Sequence, residues 1–426
     1  MRWGMGGGML LVVLAAPTAA QQVEVTLTDA LQRALLVQPA MVQAQGGVRS
    51  ANAQMLANSG SFLPTVSLSG NSSRSGGSQI VGNQIVPAPA RTSFSGALSA
   101  NLDLFTGFRR IASRRAADAS QDAADAGLIN QRYQVILQTK QAFYNAIANE
   151  ELVRVADAQV ARTRQQLQIS TEKLRAGSAT RSDSLRSVVE LGNAQIALLQ
   201  AQANLAFSQA SLGRQIGVDQ AVRAVPDSTL PPAPDTTGVR EAALSSAPQV
   251  RQSEAQARAA RAQVWVSRSA YWPTFSTSLS KGSSGAVAPW SSTTGYLDNW
   301  AVRFSVSLTL FNGFVREQAV TNSSVQRDNA EAVAADTRRF VNASLTQAIA
   351  GLQTAAAQLA ISRDNVAAAT EDMRVQQERY RVGAATILDL LTSQASLTQA
   401  LVNQVQSRFN YLVSRATLEA LVGHEL

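Results

Sequence analysis

The chain has 426 residues, no cysteine and one histidine, His424, which leaves no material for a disulfide, a thiolate metal site, a cysteine nucleophile or a Ser-His-Asp triad. Lys and Arg number 37 against 29 Asp and Glu, a net charge of +8. The arginines are dispersed along helical stretches and aromatics are only 5% of the residues, so the concentrated basic patch that nucleic acid needs is missing.

Residues 1–20 read as an export signal. Arg2 supplies the positive start, Met9 to Ala16 an apolar run, and Thr18, Ala19 and Ala20 the small residues of a cleavage site before Gln21. That run is far short of the ~20 residues that span a bilayer as a helix, and no other stretch is longer, so any membrane crossing has to be β-structure.

The first copy of a repeated unit occupies 21–225. Thr28 and Asp29 are the expected cap of a helix that Pro39 interrupts, and a second helix is expected over 41–60, before Pro64. The period then changes from about 3.6 to 2: Phe94, Leu98, Ala100, Leu102 and Leu104 alternate with Ser93, Ser95, Ser99, Asn101 and Asp103. Such alternation fits a sandwich strand with one wet face or a membrane-barrel strand between lipid and water. Each copy has room for two strands, joined by Gly/Ser-rich segments at 70–82 and 281–295. Four strands make no convincing sandwich, and a barrel needs at least about eight, so a barrel reading requires several chains. Phe105 and Phe108 follow at the strand end, flanked by Arg109 and Arg110. Aromatics there suit a membrane-interface girdle, with Phe311 and Phe314 in the second copy.

From 108 to 175 no proline occurs, and Gly127 is the one breaker. At 1.5 Å per residue this is a helix of roughly 100 Å. After Gly177 a return helix is expected over 183–217. A Pro-rich linker at 226–238 leads to the second copy, 239–426. There Pro39 and Pro64 return as Pro248 and Pro273, an offset of 209. NLDLFTGFRR at 101–110 returns as SLTLFNGFVR at 307–316, and Gly177 as Gly383, both at 206. An ordered series of matches over this length marks two copies of one structural unit.

The two helical tips carry matching turns: Lys173-Leu174-Arg175-Ala176-Gly177-Ser178-Ala179-Thr180 with Asp183, and Arg379-Tyr380-Arg381-Val382-Gly383-Ala384-Ala385-Thr386 with Asp389. Together with the FxGF strand ends, the proline before the first strand and the export signal, these turns make the chain resemble the TolC family of outer-membrane efflux proteins along essentially all of its mature length. The resemblance implies a mainly α fold with a β-barrel part. Three chains would give four strands each to one twelve-stranded outer-membrane barrel, and their long antiparallel helices to a periplasmic α-barrel. It implies a passive exit duct, not an enzyme and without a cofactor, working as a homotrimer in outer-membrane lipid with a periplasmic adaptor and an inner-membrane transporter of RND or ABC type.

The resemblance also implies a gate at the periplasmic end. Tyr380 matches a family tyrosine that bonds an aspartate at the place of Asp183, and Asp389 matches a ring of acidic residues. Ala385 and Thr392 depart from the family's gate arginine and second acidic ring. Adaptor docking would fall beside the tips, at Gly177, Thr180, Gly383 and Thr386. The alternative carried forward is a trimeric structural or adhesin-like coiled coil of the outer membrane.

Overall fold

The computed structural model describes residues 23–226, 230–232, 234, 246–288 and 295–426. The export signal expected at 1–20 lies outside these residues, as does most of the 226–238 linker. In chain order the elements are β1 (Val23–Val25), α1 (Leu27–Val37), α2 (Pro39–Gly60), β2 (Thr65–Val81), β3 (Gln84–Thr106), α3 (Arg109–Arg175), α4 (Arg181–Ile216) and β4 (Val222–Ala224). There follow α5 (Pro248–Arg268), a 3-10 turn (Ser269–Tyr271), β5 (Thr274–Gly285), β6 (Tyr296–Ser307), α6 (Val315–Arg381) and α7 (Ile387–Val422). The repeat is kept in length as well as in sequence: α3 and α6 each have 67 residues, and α4 and α7 each have 36.

The described residues within 1–42, 132–240 and 344–426 form one compact unit. Its core gathers Val25, Ala30, Phe143, Ala146, Leu212, Ile216, Val222 and Ala224, all buried. Parallel pairing of β1 with β4 closes this core, and Arg223 on β4 bridges Glu150 at 2.8 Å and Glu24 at 3.0 Å. The periodicity arguments miss this small sheet, because three residues are too few to show a period. The first helix is capped by Thr26, whose hydroxyl accepts from the Asp29 N–H, two residues before the expected cap. Lys140 is buried and meets Glu419 at 2.6 Å, and Arg415 reaches the same carboxylate at 3.0 Å. Of the linker, Pro231 and Pro232 are held by their carbonyls, which accept from the Tyr411 hydroxyl and the Arg415 guanidinium.

The described residues within 43–131 and 241–343 form the other unit, which contains the antiparallel sheet β2-β3-β5-β6. The Gly/Ser-rich stretch expected to join strands is itself strand. β2 runs to Val81, and a two-residue loop with Gly82 at φ 64° returns the chain to Gln84. Backbone pairing with β3 holds it, helped by cross-strand hydroxyl contacts of 2.8 Å at Ser67–Ser99 and Ser73–Ser93. The register sorts the sheet into two faces. Val66, Ala100, Leu279 and Val302 form one row of the apolar face, and Leu102, Thr277 and Phe304 the next. Opposite them lie Ser67, Ser99, Ser280 and Ala301, then Asp103, Ser276 and Ser305. In the second copy the sequence alternates from Trp300 through Val302, Phe304, Val306 and Leu308 to Leu310, but β6 ends at Ser307, so Leu308 and Leu310 lie beyond the strand.

Each long strand turns into its helix through two consecutive left-handed residues, Gly107 and Phe108 (φ 62° and 65°) or Gly313 and Phe314 (φ 65° and 66°). A bulky residue there stores strain of about 1–2 kcal/mol. Gly107 is required twice over, since a Cβ would sit 2.7 Å from Trp272 Cβ and 2.8 Å from the Ser269 carbonyl. The four phenylalanines pack in pairs: Phe105 with Phe108 at 5.1 Å and Phe311 with Phe314 at 5.5 Å between ring centroids, both edge-on. Arg110 and Arg316, the basic flanks, donate to the chain's own carbonyls, Arg110 to Ser61 and Leu104 and Arg316 to Thr309 and Leu310.

Within this unit α3 passes through Gly127 without interruption. Glycine costs a helix about 1 kcal/mol relative to alanine. The missing Cβ admits the Gln252 side chain of α5, whose amide nitrogen would lie 3.4 Å from it and whose oxygen accepts from Asn130 at 2.8 Å.

Candidate functional site: the paired helix tips

The tips lie in the first unit, where α3 turns into α4 and α6 into α7. Both long helices end alike. The N–H groups of Ser178 and Ala384 donate back to the carbonyls of Lys173 and Arg379 at 2.9 and 2.8 Å, while Gly177 (φ 75°) and Gly383 (φ 81°) take the left-handed position. A complete capping box then opens each return helix. Thr180 and Asp183 exchange side-chain and backbone hydrogen bonds of 2.8–3.2 Å, and Thr386 and Asp389 do the same at 2.7–3.2 Å. The cap's hydroxyl, then its N–H, holds both carboxyls below the usual aspartate range.

Tyr380 is buried in a small core with Met373, Ile387, Leu390 and Leu397, against which Ala385 also packs. Its hydroxyl has no hydrogen-bond partner, and the expected bond to Asp183 is not made; Thr180 donates to one oxygen of that carboxylate. Asp183 nevertheless acts on Tyr380 through its charge. Burial, then that charge, raises the phenol above its ordinary pKa, while the nearby Gln166 amide pulls the other way without reaching hydrogen-bond geometry. What joins the two turns is Lys173. Its ammonium stands 4.2 Å from the Tyr380 ring centroid and donates to the Tyr380 carbonyl. In sequence, a lysine in the last turn of a helix reads as a complement to the helix dipole, so spacing alone does not mark Lys173. Gly177, Thr180, Gly383, Thr386 and Asp389 are all exposed, and the Thr392 hydroxyl is turned back onto the Leu388 carbonyl of its own helix.

The combination of two matched tips, two 67-residue helices and a four-stranded sheet with one apolar and one serine-rich face is specific enough to compare with known proteins. A family model for outer membrane efflux proteins matches residues 30–218 and 239–424. The chain belongs to the outer membrane efflux protein family. Among relatives, Protein CyaE of Bordetella pertussis is 27% identical over 397 residues, covering 90% of this chain and 81% of that protein. Outer membrane efflux protein BepC of Brucella suis is 22% identical over 400 residues, covering 93% and 85%. The fold matches the Campylobacter jejuni CmeC outer membrane channel with a TM-score of 0.80, at 17% identity, over 93% of this chain and 85% of that one.

This outer membrane efflux protein is thus a TolC-like channel of the outer membrane serving efflux or export, in a family of channel proteins rather than enzymes. Family membership removes the adhesin-like alternative. No helix among the described residues is long and apolar enough to cross a membrane.

Proposed function

We propose that three copies join edge to edge into a twelve-stranded barrel, and that this trimer is the exit duct for a periplasmic adaptor and an inner-membrane transporter of RND or ABC type. The observation that carries the reading is incompleteness. Strands β2 and β6 are open edges of a sheet whose apolar face is bare, with Phe304 73% and Val306 68% exposed. A second uncovered surface supports it: Leu185, Val189, Ile196, Leu199 and Phe207, at successive steps of four, seven, three and eight along α4, are all exposed. In the assembled channel the apolar face meets lipid, with Phe105, Phe108, Phe311 and Phe314 at its interface. The mass of the detergent-solubilised protein tests this: three protomers are expected, and Ile196→Asp with Leu199→Asp should yield smaller species. A monodisperse wild-type monomer would overturn the trimer.

The paired tips act as the gate, with Lys173 fastening the two turns at Tyr380, Asp183 acting through its charge and Asp389 forming a lumenal ring of three carboxylates. The exposed Gly177, Thr180, Gly383 and Thr386 present the docking surface for the adaptor. An ammonium over a ring contributes about 0.5–1 kcal/mol at exposed sites and more when desolvated. In planar bilayers Lys173→Met should therefore raise conductance more than Tyr380→Phe, which keeps both the ring and the carbonyl. Asp389→Ala should alter cation selectivity instead. Unchanged conductance and selectivity in all three variants would leave the tips a purely structural role.

A further inference from the structure

A groove of about 970 Å³ lies between α3, α5 and α6 of the second unit, just beneath the strand ends. Four arginines line it, Arg115, Arg258, Arg261 and Arg268, and no acidic residue does. Arg258, Arg261, Trp265 and Arg268 follow one another at steps of three, four and three, which places them on one face of α5 over about 15 Å. This arrangement takes no part in the gate.

Two features say what the groove holds. Its charge is largely unspent: Arg115 and Arg258 have no ion pair or hydrogen bond among the described residues, Arg268 lies 5.4 Å from the Trp265 ring, and only Arg261 is salt-bridged, to Glu331 at 2.7 Å. Its upper wall also continues the apolar face of the sheet. Phe275 pairs across the strands with Val306 and lies 5.8 Å from Phe105. Phe105 meets Phe108 edge-on, and Phe108 meets Trp272 at 5.6 Å in the groove wall. Apolar surface leading from the strands into a cluster of guanidiniums matches an amphiphile with acyl chains on the barrel and a phosphate below.

We propose that this groove binds the headgroup of an anionic phospholipid from the periplasmic leaflet of the outer membrane, through Arg115, Arg258 and Arg268, with Trp265 and Trp272 against its glycerol and upper acyl segments. The inference rests on the barrel orientation proposed above. That orientation has its own test in charge substitutions on the two faces of β6, so failure of the groove and failure of the orientation are distinguishable.

Native mass spectrometry of the detergent-released protein, equilibrated with phosphatidylglycerol or with phosphatidylcholine, reads the site directly. Wild type should retain phosphatidylglycerol in preference. The triple variant Arg115→Gln, Arg258→Gln, Arg268→Gln should lose that retention by about tenfold or more, since each arginine near an anionic lipid surface contributes severalfold. A control with the same charge change elsewhere, Arg33→Gln, Arg49→Gln, Arg164→Gln, should retain it. If the triple variant fails to assemble, Arg258→Gln alone is read against wild type, with a severalfold loss expected. Equal retention of the two lipids by wild type, or equal losses in the triple variant and the control, would overturn the proposal. Soluble glycerol phosphate competing as well as the lipid would also overturn it, in favour of a free phosphate ligand.

Discussion

Val302→Arg is expected to remove the channel from the outer membrane, while Ala301→Arg, one residue away and at the same depth, leaves it in place. Both positions are near the middle of β6, and their cross-strand partners are Leu279 and Ser280. Val302 shares its row with Val66, Ala100 and Leu279, the row read as facing lipid. A guanidinium at the bilayer midplane on that face costs about 2–4 kcal/mol, and a trimer carries it three times, about 6–12 kcal/mol in all. On the opposite face the row is Ser67, Ser99 and Ser280, where an arginine stays hydrated and Arg303 is already tolerated nearby. The quantity of trimer in outer-membrane fractions, read on gels without heating, checks the contrast. Equal loss or equal tolerance of the two substitutions would reject the assigned faces.

The buried charges of the first unit give the second large effect. Glu419 accepts from both Lys140 at 2.6 Å and Arg415 at 3.0 Å, and both Lys140 and Glu419 are buried. Removing one member of a buried pair strands the other and costs about 3–5 kcal/mol, whereas replacing both with apolar side chains of similar volume is often neutral. Glu419→Ala should therefore lower the melting temperature most, because it abandons two cations. Lys140→Met should lower it less, because Arg415 still serves Glu419. The double variant Lys140→Met, Glu419→Met should recover most of the loss. Thermal melts in detergent give the ranking, and a double variant no better than Glu419→Ala would refute the pairing argument.

The elements with long periods or strong punctuation were legible from the residues alone. Gly177 and Gly383 adopt the left-handed conformation at the helix ends that the repeat marks, and the Thr-x-x-Asp pattern forms capping boxes at both tips. Elements that depend on a distant partner were not legible. Val23–Val25 and Val222–Ala224 become strands only because each finds the other across nearly 200 residues. The stretch at 70–82, rich in serine and glycine, has no apolar alternation of its own and takes its conformation from pairing with β3. At the tips, spacing and the family resemblance pointed to Tyr380, Asp183 and Asp389. They did not reveal that the Tyr380 hydroxyl is left without a partner, nor that Lys173 bridges the turns. Those facts depend on how side chains from the two turns are placed against each other, which sequence spacing does not record.

The serine-rich face of the sheet bears on how cargo is chosen. In the proposed barrel it forms the wall, and its rows present Ser67, Ser99, Ser276, Ser278, Ser280 and Ser305, with Arg91, Asp103 and Arg303 as charges on the same face. A hydroxyl donates and accepts, and its hydrogen rotates to suit whatever passes. Such a surface replaces the hydration of anions, cations and neutral solutes about equally well and fixes none of them in place. In that proposed barrel the hydroxyl rows give the pore wall little with which to hold one kind of cargo in preference to another, and discrimination would fall to the parts of the route before it.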